Sequence, residues 1–299
     1  MQESKFNSYL HLHFIIFIWG FTAILGALIS IDAMPLVWYR MSIASLLLFL
    51  FIKVKRKSLV IDSKTFAKFI IGGVIIALHW ITFFLAIKSS NVSVALMTMS
   101  TGAFFAAFIE PFFFKRRISK IELFLGFLVV IGLYIIFQIE GDFRLGILYG
   151  LISSFLSALF SVLNGLYVRK NPPVIISFYQ LLFGSIFISI ILLILGEFSV
   201  EFFCVSSSDW LYLFILASIC TAYAFSASVK IMKVLSPYTV MLSINLEPIY
   251  GIILALIIFG DKERMAPEFY FGALIILISV ILNGLIKNRK QLINRFQKK

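Results

Sequence analysis

Few side chains in this sequence could hold or pass a charge away from water, and they stand far apart inside long apolar runs. Glu247, followed by Pro248, lies about eleven residues into an apolar run that starts at Pro237, or roughly 16 Å at 1.5 Å per residue, close to the middle of a bilayer. An ionisable group at that depth costs about 2.5–3.5 kcal/mol on insertion scales, so its presence argues for a function. A carboxyl there can pick up and release a proton as water reaches it. Pro248 has no N–H for the Ile244 carbonyl, which favours a bend and leaves an acceptor beside the acid. The plainer reading is a protonated carboxyl hydrogen-bonded to a neighbouring helix.

His79 and Trp80, midway along another run, supply an imidazole able to bond a solute or carry a proton, next to a flat apolar wall. An interhelical hydrogen bond and lipid packing account for the same two residues. Arg40 lies near the outer end of its run, where snorkelling to the interface is favoured over capture of an anionic group. Glu110, before Pro111, lies about one turn from Lys115, Arg116 and Arg117, so an ion pair at the inner interface explains it. Trp19, Thr98, Thr101, Asn164, Tyr179, Gln180, Tyr223 and Asn245 are further candidates to line a cavity. Cys204 and Cys220, one in a loop and one in a helix, point neither to a disulfide nor to a metal site, and nothing calls for a cofactor.

The elements that carry these residues follow from composition. Of 299 residues 61% are hydrophobic and 13% charged, more apolar surface than a water-soluble fold can hide. Lipid must act as solvent, and unbroken apolar runs such as Leu145 to Val168 select helices over a β-barrel. Ten runs are long enough to span: Leu12 to Ile31, Pro35 to Ile52, Phe69 to Ile87, Val92 to Phe114, Ile121 to Ile139, Leu145 to Val168, Pro173 to Leu195, Trp210 to Val229, Pro237 to Phe259 and Phe269 to Ile286. The first reads as a retained anchor. With the N-terminus cytoplasmic, 21 of the 26 Lys and Arg residues fall inside, four fall outside and Arg40 lies within a span. Both termini are therefore expected in the cytoplasm, and the net charge of +12 reflects topology beside an anionic leaflet, not nucleic-acid binding.

Five spans per half imply a duplication whose second half is inverted, with repeats over residues 1–140 and 141–299. The start of span four, Ser90-Asn91-Val92-Ser93-Val94, superposes on Ser236-Pro237-Tyr238-Thr239-Val240 with a shift of 146 residues. Gly26, Gly72, Gly73, Gly102, Ala106, Gly165 and Gly251 suit close helix approach.

Trp19-Gly20, Pro35 with Arg40, Asn91-Val92-Ser93-Val94-Ala95, and Glu247-Pro248 leading to Gly260-Asp261-Lys262-Glu263 occur in an order that resembles the EamA family of the drug/metabolite transporter superfamily. Thr101-Gly102 stands where family members usually have a proline in span four, and Lys115-Arg116-Arg117 where they have Gly-Glu-Arg. The resemblance implies a ten-helix transporter of amino acids or similar metabolites in a bacterial cytoplasmic membrane. No nucleotide-binding loop is present to couple ATP, and neither a His-Glu-x-x-His run nor a Gly-x-Ser-x-Gly elbow supports the alternative of an intramembrane lipid-modifying enzyme. A channel, scramblase or sensor is the other alternative. The expected partners are a small solute, the bilayer and, through Glu247, a proton; nothing marks an oligomer face.

Overall fold

A computed structural model of the chain describes residues 5–115, 120–139 and 141–296, so Arg116 and Arg117 lie outside the described residues. The described backbone is helical: α1 (Lys5–Leu28), α2 (Ala33–Val54), α3 (Ser63–Lys88), α4 (Val92–Met99), α5 (Gly102–Phe114), α6 (Lys120–Ile139), α7 (Arg144–Tyr167), α8 (Pro173–Leu195), the single turn α9 (Val200–Phe203), α10 (Ser207–Ala217), α11 (Ala224–Ile231), α12 (Pro237–Ile244), α13 (Glu247–Phe259) and α14 (Pro267–Phe296). Eight segments, counting α4–α5, α10–α11 and α12–α13 each as one, are long and apolar enough to cross a membrane, and Phe124–Gln138 and Pro267–Ser279 are shorter apolar stretches. Exposed apolar residues such as Phe14, Leu50, Phe127, Leu193 and Ile257 look outward, as side chains solvated by lipid do.

Polar residues set the helix starts. Asp62 accepts from the Thr65 hydroxyl at 2.6 Å and the Thr65 amide at 3.0 Å, bonds that cap α3 and hold this carboxylate below its ordinary range. Asn91 and Ser236 cap α4 and α12 in the same way, accepting from the amides of Val94 and Thr239. These caps, and the equal lengths of α4 and α12 (8 residues) and of α5 and α13 (13 residues), place the internal repeat at a shift of 145 residues rather than 146. The matching of Ser90 with Ser236 is therefore one residue out of register, because the cap equivalent to Ser236 is Asn91.

Spans four and nine are not continuous helices. Span nine breaks at Asn245–Leu246, where Pro248 opens the next helix at a position that needs no amide donor. Span four breaks at Ser100–Thr101 without a proline. There Ser100 Oγ donates to the Met97 carbonyl and Thr101 Oγ1 to the Thr98 carbonyl, so hydroxyls take up acceptors that a continuing helix would use. The broken helices pack crosswise, α4 on α13 and α5 on α12. This pairing requires that the two run antiparallel. At the far edge α6 packs on α14, where the Gly132 and Gly272 backbones are close enough that a methyl on either would fall within 3 Å of the other's carbonyl. Two buried apolar clusters result, a larger one centred on α1–α3, α8, α10 and α11 and a smaller one on α4–α7, α12 and α14.

One further departure lies inside span eight, where Ser218–Tyr223 forms a π-helix between α10 and α11. The widened turn frees backbone acceptors in mid-span, a feature often found at functional sites.

Candidate central cavity

A cavity of about 60 Å³ lies where α1, α2, α3 and α7 meet α11 and the two helix breaks, lined by both halves of the chain. Met99 reaches it from the end of α4, Ile244 from the end of α12 and Glu247 from the first residue of α13. The first turn of a helix is where a carboxylate meets the positive end of the backbone dipole. The breaks therefore do more than bend the chain: they bring an acid and a helix terminus to one point.

Arg40 is the opposing charge, and its side chain is turned inward. It is 2% exposed and does not snorkel to the interface as its depth in the sequence suggested. Its guanidinium carbon stacks 3.9 Å from the Trp80 ring centroid, and Nε donates to Thr221 Oγ1 at 2.6 Å. Thr221 in turn donates to the Leu216 carbonyl at 2.7 Å, five residues back, an acceptor that the π turn supplies. Trp19 Nε1 donates to the Cys220 carbonyl in the same turn at 3.1 Å. Packing and hydrogen bonds thus hold Arg40 in place against the pull of the aqueous interface. Nη1 is buried with no hydrogen-bond partner among the described residues. Arg40 and Glu247 face the same cavity without forming an ion pair among the described residues.

His79 lies both beside the cavity and between two helices. Nδ1 lies 2.9 Å from the Ser153 carbonyl and 2.8 Å from Ser153 Oγ, which in turn lies 2.8 Å from the His79 carbonyl. The imidazole ties α3 to α7 and also lines the cavity, with Phe160 5.3 Å away ring to ring. Trp80 is buried as a wall of the cavity, not packed against lipid.

Of the proposed cavity residues, Trp19, Arg40, His79, Trp80 and Glu247 come together here. The others stand elsewhere, held by other bonds and contacts. Thr98 donates to Val94 O and packs on Gly150, and Thr101 pairs with Ser154 Oγ at 2.8 Å. Gln180 donates to Asn164 Oδ1 at 2.7 Å under Gly72 and Gly73, and Tyr179 donates to the Leu59 carbonyl. Asn245 is buried in the helix break, and Tyr223 is exposed with its hydroxyl 2.9 Å from His11 Nε2. Glu110 lines a separate cleft of about 570 Å³ with Arg169 and Met232. Sequence reasoning missed Thr22, Ser157, Ser161, Thr221 and Ser228. Ser157 and Ser161 are spaced one turn apart, a small polar face inside an apolar run that was open to notice. Thr221 had no sequence signal, because π turns have none.

The two ends of the bundle differ. At the end holding the C-termini of α1 and α3, Ser30 donates to Asp209 through N at 2.9 Å and through Oγ at 2.5 Å, and Lys88 Nζ donates to the Ile29 carbonyl at 3.1 Å. Glu263, 4% exposed, accepts from the amides of Val92 and Ser93 at 2.9 and 2.8 Å, and from Ser93 Oγ. At the opposite end lie open clefts of about 570 and 740 Å³, and Met232 lines both the first of these and the cavity.

No curated protein matches the sequence. A crystal structure described only as that of a protein is similar in fold, with a TM-score of 0.68 at 15% identity over 95% of this chain and 99% of its own. The model of the EamA-like transporter family matches twice, over residues 8–138 and 144–285, one match for each set of helices that builds the cavity. The chain therefore belongs to the EamA-like transporter family.

Proposed function

We propose that this protein is a secondary transporter that exports a small zwitterionic metabolite of the amino-acid class by alternating access, with Glu247 carrying a coupling proton. The observation that carries this reading is the buried Arg40 guanidinium, whose Nη1 lacks a partner and which shares its cavity with Glu247. A carboxylate is the natural partner for a planar cation held on an aromatic face. An ammonium group of the same solute suits Glu247, and Trp19, Trp80, Phe83 and Phe225 suit its apolar part. The cavity of about 60 Å³ admits a few waters and falls well short of the roughly 300–1,000 Å³ of small-molecule sites, so solute binding requires the helices to part.

In this reading ten spans form two inverted repeats, residues 1–140 and 141–299, in a bacterial cytoplasmic membrane with both termini inside. The Asp209 and Glu263 bonds then seal the outer end, and the cleft beside Met232 at the inner end admits solute from the cytoplasm, which suits export. Proteoliposome transport of radiolabelled amino acids tests the assignment. Arg40→Gln should lower uptake and exchange roughly 10- to 100-fold, as loss of a charge-assisted bond of about 1.5–3 kcal/mol predicts, with membrane yield retained. Glu247→Gln should abolish accumulation driven by a pH gradient while sparing exchange at equal pH. Undiminished pH-driven accumulation in Glu247→Gln refutes the coupling role, and normal exchange in Arg40→Gln refutes the carboxylate site.

A further inference from the structure

One cleft at the inner end is separate from the central cavity. It has a volume of about 740 Å³ and lies between the last turns of α2, the start of α8 and the outer side of the π segment and α11. Its walls are apolar, with Leu47, Leu48, Val174 and Ala222 among them, and Lys57, Lys230 and Lys233 line it as well. All three lysines are exposed. From Ser218, at the start of the π segment, to Lys230 the chain advances 12 residues, at most about 18 Å at the α-helical rise of 1.5 Å per residue. That is close to one leaflet, about half of a hydrocarbon core roughly 30 Å thick. The cleft is thus an apolar furrow one leaflet deep with three cations at its mouth. Exposed Phe51 and Tyr223 are among its lining residues, as expected of a furrow that opens toward the lipid.

We propose that this furrow is a binding site for an anionic phospholipid of the inner leaflet, with the phosphate held by Lys57, Lys230 and Lys233 and one acyl chain lying along α11 and the π segment. Charge complementarity selects the headgroup, because a zwitterionic phosphate would bring its own cation against three lysines. The furrow's length and apolar walls select a chain-bearing lipid over a free anion. The chain packs on the π segment that holds Arg40 through Thr221, so an occupied furrow braces the central cavity from outside.

Thermal unfolding of the purified full chain in mild detergent, with added phosphatidylglycerol or phosphatidylcholine, tests the site without any transport assay. Phosphatidylglycerol should raise the midpoint by several degrees more than phosphatidylcholine does. The difference should vanish in K57Q/K230Q/K233Q and persist in K53Q/K55Q/K64Q, which removes equal charge outside the furrow. Equal stabilisation by the two lipids, or loss of the difference in both triple variants, overturns the proposal. So does full stabilisation by glycerol phosphate alone, which would make this a soluble-anion site. Should the furrow triple variant not fold, K57Q and K233Q singly decide the matter by native mass spectrometry. The ratio of retained phosphatidylglycerol to phosphatidylcholine should fall about fivefold per lysine removed, and an unchanged ratio rejects the site.

Discussion

At the scale of single residues, the centre of this protein depends on Arg40 being held where a long cationic side chain would ordinarily reach for water. The Trp80 face at 3.9 Å and the Thr221 hydroxyl at 2.6 Å fix two sides of the guanidinium. The remaining buried donor then has reason to seek a ligand, since an unpaired buried polar group costs about 1–3 kcal/mol, and more when it is charged. His79 differs, because its Nδ1 already has hydrogen-bond partners on Ser153. His79→Ala should therefore lower stability by roughly 1–3 kcal/mol through the orphaned Ser153 and the gap between α3 and α7, and lower transport with it. Full transport with an unchanged thermal midpoint would show that the α3–α7 tie has no consequence.

At the scale of elements, the breaks and the π turn matter more than the regular helices between them. Glu263 closes one of these devices, holding the first amides of α4 from the turn that follows α13. Glu263→Ala should lower stability by about 2–3 kcal/mol, because two orphaned amides lose a charged acceptor, and Glu263→Gln should recover part of that loss. Thermal midpoints in one detergent measure both, and a Gln variant as damaged as the Ala variant would argue against the capping role. If the outer seal gates transport, Asp209→Ala should raise the reactivity of a cysteine at Ser30 toward an impermeant thiol reagent applied from outside, by about tenfold for ~1.4 kcal/mol of gate stability. An unchanged labelling rate would show that the Ser30–Asp209 bonds do not hold the gate.

At the scale of the whole molecule, the crosswise packing of α4 on α13 and α5 on α12 places the cavity between the two repeats. If the protein works by alternating access, a motion of one repeat against the other changes access to the cavity from either end. Reporter fusions after residues 57, 115, 170 and 233 should all give cytoplasmic signals, and a periplasmic signal at any of them would overturn the inverted ten-span topology. The two repeats are not chemically equal. At a shift of 145 residues Glu247 corresponds to Gly102, so only one helix break carries an acid.

Helix class, the approximate place of eight membrane-length helices and the break at Pro248 were legible in the sequence. Each follows from local chemistry: apolar run length and a missing amide donor. Family membership was legible for a related reason, since the order of short motifs survives even where identity is low. What only the tertiary structure decided was direction. Arg40 points inward because Trp80 and Thr221 wait there, from helices 40 and 181 residues away in sequence. Asn164 and Gln180 point at each other instead of at a solute because α7 and α8 place them 2.7 Å apart. Run length and depth are properties of one helix, whereas the face that a side chain presents, and the partner that retains it, depend on rotations among helices that hydrophobic content alone leaves open.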